Sequence, residues 1–139
     1  MQMRHTLFLS IVLPAAALAG GTPPEPLSAH ADFDGDGRVD SATLTQDHER
    51  ARLEVRVGSR APQTFEFRAD PAAQDAVCTL PVTLETAPSN CHPEGPEGGS
   101  LPGCVASAVK VDLAIVDGSC DAIHLYWNGD RQRLDWWRR

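Results

Sequence analysis

The 139-residue chain lacks several features that would assign it to a common functional class. Beyond residue 19 it contains no run approaching the roughly 18 apolar residues that a membrane-spanning helix needs. It is poor in basic residues, with 12 Lys and Arg against 19 Asp and Glu, which argues against binding to nucleic-acid phosphates. Its four cysteines form no Cys-x-x-Cys pair, so zinc and thioredoxin chemistry are not expected. Because no Gly-x-Ser-x-Gly nucleophile motif is present either, we predict that the protein is not an enzyme.

The first 19 residues have the organisation of a secretory signal peptide. A positively charged start at Arg4 precedes a largely apolar run, Leu7–Val12, and the small residues Ala17 and Ala19 form an Ala-x-Ala cleavage site. We therefore predict a periplasmic or secreted protein.

Residues 20–31 are Pro-rich without periodicity and are expected to form a flexible leader, whereas much of residues 32–139 alternates between apolar and polar positions. This period of two is typical of half-buried β-strands. No segment shows a helical stripe, so we predict an all-β domain, an antiparallel meander that resembles a propeller blade or a small sandwich. Lys110 and Asp112 are expected on the face opposite the core. The residues predicted to face the core are Leu53, Val55, Val57, Phe65, Phe67, Leu80, Val82, Leu84, Val109, Val111, Leu113, Ile115, Ile123, Leu125, Trp127 and Trp136.

Two dipeptides predict hairpin turns between the last three strands. Asn128-Gly129 favours a type I′ turn because both residues tolerate a positive φ, and Asp117-Gly118 indicates a second hairpin. The last strand is predicted over Arg133–Trp137. The strand that precedes these three is predicted over Val77–Glu85, and its proline at position 81 indicates a sheet edge or a bulge.

The strongest chemical signal is the acidic segment D-F-D-G-D-G-R-V-D, which begins at Asp32. Four carboxylates in one short loop repel one another unless a hard cation lies between them, and Ca²⁺ accepts about six to eight oxygen ligands. We predict a structural Ca²⁺ held by the side chains of Asp32, Asp34, Asp36 and Asp40 and by the carbonyl of Arg38. The alternative is an acidic surface turn in which Asp and Gly only favour tight geometry.

Extended to Ala42, this segment reads DFDGDGRVDSA and resembles the calcium loop of FG-GAP and VCBS repeats, which connects strands in integrin-type propellers. The resemblance covers about eleven residues and implies calcium binding rather than a particular function. A full propeller has several such loops, and this chain has one copy.

The four cysteines are expected to form two disulfides, because exported proteins fold in an oxidising compartment. Cys104–Cys120 is disfavoured, since the ends of an extended strand between them lie roughly 40 Å apart, whereas a bridge tolerates about 7 Å between Cα atoms. Antiparallel pairing of the strands on either side of the intervening loop favours the nested pairs Cys91–Cys104 and Cys78–Cys120.

Two surfaces are candidates for binding a partner. The Pro- and Gly-rich loop between Cys91 and Cys104 loses less entropy on docking once it is closed, which suits insertion into a cleft; an insertion stapled only for stability is the alternative. The strand face opposite Ile123 and Leu125 carries aromatic side chains, unless a second sheet covers it. The residues predicted to contact a partner are His92, Glu94, Glu97, His124, Tyr126 and Trp137.

The layout as a whole, an exported chain with one acidic loop and a β-meander ending in CDAIHLYW and LDWWR, is similar to small periplasmic proteins that inhibit lysozyme-like peptidoglycan hydrolases, including immunity proteins paired with secreted effectors. The resemblance implies a protein partner whose cleft is blocked sterically. We therefore expect an exported, calcium-stabilised binding protein, with an inhibitor or immunity protein as the sharper hypothesis. The alternatives are a calcium-binding adhesion or structural module and an exported hydrolase with an unrecognised site.

Overall fold

The computed structural model describes residues 24–95 and 97–139, and the predicted signal peptide lies outside them. These residues contain eight β-strands and no helix, so the all-β prediction is confirmed. Accordingly, no helix in these ranges is long and apolar enough to span a membrane. The strands are β1 Leu27–Ala31, β2 Asp40–Gln46, β3 Arg50–Arg56, β4 Gln63–Arg68, β5 Thr83–Pro88, β6 Val111–Val116, β7 Ile123–Asn128 and β8 Arg133–Trp137.

The strands form two four-stranded sheets in which each strand pairs antiparallel with the next along the chain. The first sheet has the order β1-β2-β3-β4 and the second the order β5-β6-β7-β8. The second sheet is the predicted meander, and β8 has the predicted bounds. Because every connection joins neighbouring strands, each sheet is an up-and-down unit.

β1 lies inside the stretch that we predicted to be a flexible leader, so that prediction is wrong for Leu27–Ala31. This segment pairs antiparallel with β2 over all five of its residues. Leu27, Ala29 and Ala31 are partly buried against the core. Two alanines among polar neighbours give too weak an alternation for the strand to stand out from the Pro-rich residues before it.

β5 begins later than predicted. It covers Thr83–Pro88 rather than Val77–Glu85, and Val77 makes only an isolated bridge to Ala69. The Leu80–Pro81 peptide bond, just before the strand, is cis. β5 is nevertheless an edge strand, as the proline indicated.

The β7–β8 hairpin exists, but its turn is not type I′. The connection has four residues, and the positive φ of 51° falls on Gln132 rather than on Asn128 and Gly129. The Asn128 side chain instead accepts hydrogen bonds from the backbone N–H groups of Asp130 and Arg131, both at 3.1 Å. This Asx arrangement supports a longer loop than the two-residue turn that the dipeptide predicts.

Both sheets contribute side chains to one apolar core, and most of the predicted core residues are in it. Three are not. Val111, the first residue of β6, is only partly buried and lies outside the core cluster. Val109 is 62% exposed because it precedes β6, and the next residue, Lys110, is buried instead, at 3% exposure. Trp136 is 38% exposed and packs its ring edge-to-face on Phe67, with the ring centroids 6.2 Å apart. Asp112, expected on the polar face, is also buried.

The nested disulfides are confirmed. Cys78 pairs with Cys120 and Cys91 with Cys104, with Cα–Cα distances of 6.0 and 5.5 Å. Two disulfides indicate folding in an oxidising environment. The Asp117 carboxylate, at the start of the confirmed β6–β7 hairpin, supports the first bridge. Its oxygens accept from the N–H groups of Cys78 at 2.6 Å and Cys120 at 2.9 Å. Burial raises the pKa of Asp117, but hydrogen bonds from backbone N–H groups outweigh it and leave the pKa below its usual value.

Two glutamine side chains connect the sheets through their amide groups. Gln46, at the end of β2, donates to the carbonyl of Val82 at 3.1 Å and accepts from the N–H of the same residue at 2.8 Å. Gln63, at the start of β4, does the same for Leu134 of β8, at 3.3 and 2.8 Å. Each amide thus gives one backbone residue the hydrogen-bond acceptor and donor that a neighbouring strand would otherwise provide. Each of these hydrogen bonds contributes roughly 0.5–1.5 kcal/mol to stability.

Candidate functional site

The acidic segment, residues 32–40, forms a tight loop that connects β1 to β2. Gly35 and Gly37 have φ angles of 80° and 84°, a left-handed conformation that glycine adopts without steric cost. The Asp32 carboxylate organises the loop from inside. Its Oδ1 accepts from the N–H of Gly35 at 2.6 Å and its Oδ2 from the N–H of Gly37 at 2.8 Å.

Three of the four predicted carboxylate ligands converge. Asp32, Asp34 and Asp40 each place one oxygen so that the three lie within 4.8 Å of one another. Asp36 is outside this group, and its carboxylate accepts from the N–H of Arg38 at 2.8 Å. Arg38 itself is exposed. The carboxylate part of the predicted ligand set is therefore smaller than the sequence indicated.

Asp40 holds the converging carboxylates against the body of the protein. It is 4% exposed, and its two oxygens accept from the N–H groups of Phe33 at 3.0 Å and Gly58 at 2.9 Å. The Phe33 side chain is fully buried in the core. The loop is thus fixed to both the core and the β3–β4 connection.

A cation that sequence reasoning missed lies beside this group. Arg60 donates from Nη1 to Asp34 Oδ2 at 2.9 Å and from Nη2 to Gln132 at 2.9 Å. Its guanidinium carbon also lies 4.9 Å from the ring centroid of Trp127, within cation–π range. Arg60 is 26 residues from Asp34, and no local pattern links the two.

The electrostatics of the carboxylate group favour a positive charge. Burial raises the pKa of Asp34, and the charges of Asp36 and Asp40 raise it further, whereas Arg60 and a backbone hydrogen bond lower it. Three carboxylates against one guanidinium leave net negative charge. Their oxygens have further lone pairs beyond the hydrogen bonds that they accept. This donor set fits a hard cation with oxygen ligands, and it is not specific to calcium.

The segment before β6 connects the acidic loop to the second sheet. The N–H of Val111 donates to the carbonyl of Asp32 at 3.0 Å. The buried Lys110 donates from Nζ to the carbonyl of Val105 at 2.5 Å, and its aliphatic chain lies beside Gly35. Burial lowers the pKa of Lys110, an effect that the Asp112 carboxylate opposes. A change in the conformation of the acidic loop would therefore affect both sheets.

The Cys91–Cys104 loop folds back onto its own sheet. The N–H of Gly129 donates to the carbonyl of Gly103 at 2.8 Å, and Cys104 forms a bridge with Asn128. Gly103 has a φ of 63°, and a Cβ atom there would lie 1.9 Å from Asn128 Oδ1. Only glycine permits this approach.

The loop therefore covers part of the face opposite Ile123 and Leu125, in place of the second sheet that we considered. Tyr126 is 3% exposed and donates its hydroxyl to the carbonyl of Pro102 at 3.0 Å. The prediction that Tyr126 contacts a partner is wrong in this conformation, because the loop occupies that position. Burial, reinforced by the Asp135 charge, raises the pKa of Tyr126.

The other predicted contact residues remain accessible in two places. His92, Glu94 and Glu97 are exposed on the loop itself. His124 and Trp137 are half-buried on the outer face of the second sheet and stack, with ring centroids 4.3 Å apart and planes 8° from parallel.

The structure therefore separates the predicted residues into three places: the acidic loop, the exposed side of the disulfide loop, and the stacked pair on the sheet. Two of the site predictions failed: Tyr126 is covered by the disulfide loop, and Asp36 lies outside the group of converging carboxylates. In comparisons with known proteins, no protein-family model, no curated protein and no solved structure matches this chain.

Proposed function

We propose that this chain is an exported, calcium-stabilised protein that binds another protein, and that its partner is a peptidoglycan hydrolase that it inhibits. The observation that carries the proposal is the Cys91–Cys104 loop, which a disulfide closes and which the protein also holds against its own sheet. Its exposed side presents His92, Glu94 and Glu97.

Preorganisation supports a binding role for this loop. The ordering of a mobile side chain at an interface costs about 0.5–1.5 kcal/mol, and loop ordering adds to that cost. Here the N–H of Leu101 donates to the carbonyl of Cys91 at 2.9 Å, and Arg139 donates to the carbonyl of Pro93 at 2.8 Å. A loop already held at several points binds with a smaller entropic loss.

Charge supports a basic partner. The chain has a net charge of −7, and two of the exposed side chains on the loop are glutamates. Opposite charge across an interface steers association and raises the rate of encounter more than it raises affinity. Binding should accordingly weaken as the salt concentration rises.

Calcium is proposed as a structural ion held by Asp32, Asp34 and Asp40. Their convergence and the resemblance of the segment to FG-GAP and VCBS loops support this assignment. When bound, the ion would neutralise the carboxylates at the point where the loop meets both sheets, while backbone N–H groups continue to orient Asp32 and Asp40.

The inhibition proposal is tested with a purified lysozyme-type hydrolase and a cell-wall suspension. The rate at which turbidity falls should decrease as the protein is added, and the two should co-elute on size exclusion. Glu94→Gln combined with Glu97→Gln should weaken inhibition several-fold, whereas Glu25→Gln, an exposed change before β1, should not. Unchanged lysis across a panel of such hydrolases, or cell-wall turnover by the protein alone, would contradict the proposal.

The calcium proposal is tested by thermal unfolding with Ca²⁺ and with a chelator. At a calcium concentration one hundred times the dissociation constant, the ion stabilises the folded state by about 2.7 kcal/mol. That corresponds to roughly 10 °C for a domain of this size. Asp34→Asn should abolish the difference, and Asp130→Asn, an exposed change outside the loop, should preserve it. Equal melting temperatures with and without calcium would refute the assignment.

A further inference from the structure

A groove of about 430 Å³ opens on the outer face of the second sheet, and none of its lining residues belongs to the acidic loop. The strand register explains how it forms. Asp112 of β6 lies opposite Ala87 of β5, and His124 of β7 lies opposite Trp137 of β8. These four residues line the groove together with Asn90, just before Cys91, and Pro93, near the start of the disulfide loop.

Asp112 is the unusual member of this lining. It is 7% exposed, and one of its oxygens accepts from the N–H of Asn90 at 3.0 Å. Its other oxygen, Oδ1, has no hydrogen-bond partner among the described residues. Burial raises the pKa of Asp112, and the Asn90 N–H and the nearby Ser89 hydroxyl oppose that shift. The Ser89 hydroxyl and Oδ1 are nevertheless not aligned in a hydrogen bond. Oδ1 is covered in this conformation, so a donor in the groove reaches it only when the Asp112 side chain rotates. That contact would recover the stability that an unpartnered buried oxygen costs.

The remaining lining adds a second carboxylate and an aromatic pair. Asp121 is exposed on the rim, and His124 and Trp137 are stacked beside it. Aromatic faces attract cations, and carboxylates form strong hydrogen bonds to ammonium and guanidinium groups. The fixed cation of the groove, Arg139, is engaged with the carbonyl of Pro93.

We propose that this groove binds a cationic side chain, lysine or arginine, presented by the protein partner. The identification of the partner rests on the proposed function, whereas the cation site itself is measured without it. Two carboxylates face one guanidinium in the groove, which leaves it negative.

The neutral form of His124 is compatible with a bound lysine or arginine side chain. Burial lowers the pKa of His124, and Arg139 lowers it further, while Asp112 and Asp121 oppose the shift. The net direction is downward, which favours the neutral ring and reduces the positive charge that would repel a cation. Sugar hydroxyls would also donate to a carboxylate, but they would gain nothing from the negative charge.

The test is an NMR titration of the exported protein with N-acetyl-arginine amide, followed through the Trp137 indole N–H and the His124 ring signals. Trp137→Phe assigns the indole signal. N-acetyl-citrulline amide, which has nearly the same shape without the charge, is the matched ligand control. Arginine should shift both signals with saturation, and citrulline should not.

Variants locate the site. Asp121→Asn should weaken arginine binding about two- to fivefold, the range for an exposed charge pair, and Asp112→Asn should weaken it more because that carboxylate is desolvated. Asp130→Asn, exposed and outside the lining, should leave it unchanged. Circular dichroism establishes that each variant is folded.

Equal shifts with arginine and citrulline would overturn the proposal, because charge would then not be recognised. Shifts with an N-acetylglucosamine trimer and none with arginine would overturn it in favour of a glycan site. If arginine binds and no hydrolase is inhibited, the cation site stands and the proposed function fails. If inhibition persists and arginine does not bind, the cation site fails alone.

Discussion

Gly103→Ala should be among the most destabilising conservative changes in this protein. The residue has a φ of 63°, and an alanine in that left-handed region costs roughly 1–2 kcal/mol. The added Cβ would lie 1.9 Å from Asn128 Oδ1 and 2.6 Å from Asn128 Cγ, so one of the two residues must move. Asn128 is 2% exposed and accepts two backbone hydrogen bonds in the β7–β8 turn.

Displacement of Asn128 adds to the backbone cost. Its side chain also donates to Asp135 at 2.7 Å, so three hydrogen bonds are lost or distorted. At about 1 kcal/mol for each bond, these losses add to the backbone cost of roughly 1–2 kcal/mol and give a total of about 4–5 kcal/mol. The disulfide loop should detach from its sheet at the Gly103 end, even though the Cys91–Cys104 bridge remains.

The measurement is equilibrium unfolding in urea with both disulfides oxidised, followed by tryptophan fluorescence. Gly99→Ala is the matched control, because Gly99 lies in the same loop with a φ of 79° and nothing lies within 4 Å of its Cβ position. The Gly99→Ala control should lose only the stability that an alanine in the left-handed region costs, roughly 1–2 kcal/mol. If the two variants lose the same stability, the loop does not approach Asn128, and the preorganised loop on which the proposed function depends is refuted.

Three further changes test other parts of the structure. Arg60→Gln should raise calcium affinity, because the guanidinium competes for Asp34; isothermal titration that shows weaker binding would mean that Arg60 supports the site instead. Gln63→Ala should cost about 1–3 kcal/mol in urea unfolding, since the N–H and carbonyl of Leu134 lose their partners; no change would mean that water replaces the amide. Asp112→Asn tests pH dependence. Burial raises the folded-state pKa of Asp112, so the wild type loses stability as pH rises from the unfolded-state pKa through the folded-state pKa. The variant lacks this loss, so its melting temperature relative to wild type should increase with pH across that window and then level off. A constant difference across the acid range would contradict the assignment.

Much of the fold is readable from the sequence because burial on one face imposes a period of two. Leu53, Val55, Ile123 and Leu125 are buried where their alternation places them. The nested disulfides follow from the same reasoning, since strand pairing decides which cysteines come within reach. Short-range patterns of this kind depend only on neighbours along the chain.

The features that were missed depend on distant segments. Lys110 looks like an exposed residue of a strand, yet it is buried because the chain before β6 packs on the acidic loop. No neighbour in sequence reveals that the disulfide loop covers Tyr126. Nor does the local sequence reveal that Arg60 lies beside the Asp34 carboxylate. Asp36 fits the calcium pattern by spacing, but its carboxylate does not converge with those of Asp32, Asp34 and Asp40.

The glutamine contacts have a consequence for how the protein behaves at high concentration. β8 ends its sheet, and an unpaired edge is a template onto which a strand from another molecule can add. Gln63 occupies the backbone N–H and carbonyl of Leu134 at that edge, and Gln46 does the same for Val82 next to β5. Two side-chain amides thus occupy backbone groups at β8 and next to β5, where a strand from another molecule would otherwise form its hydrogen bonds.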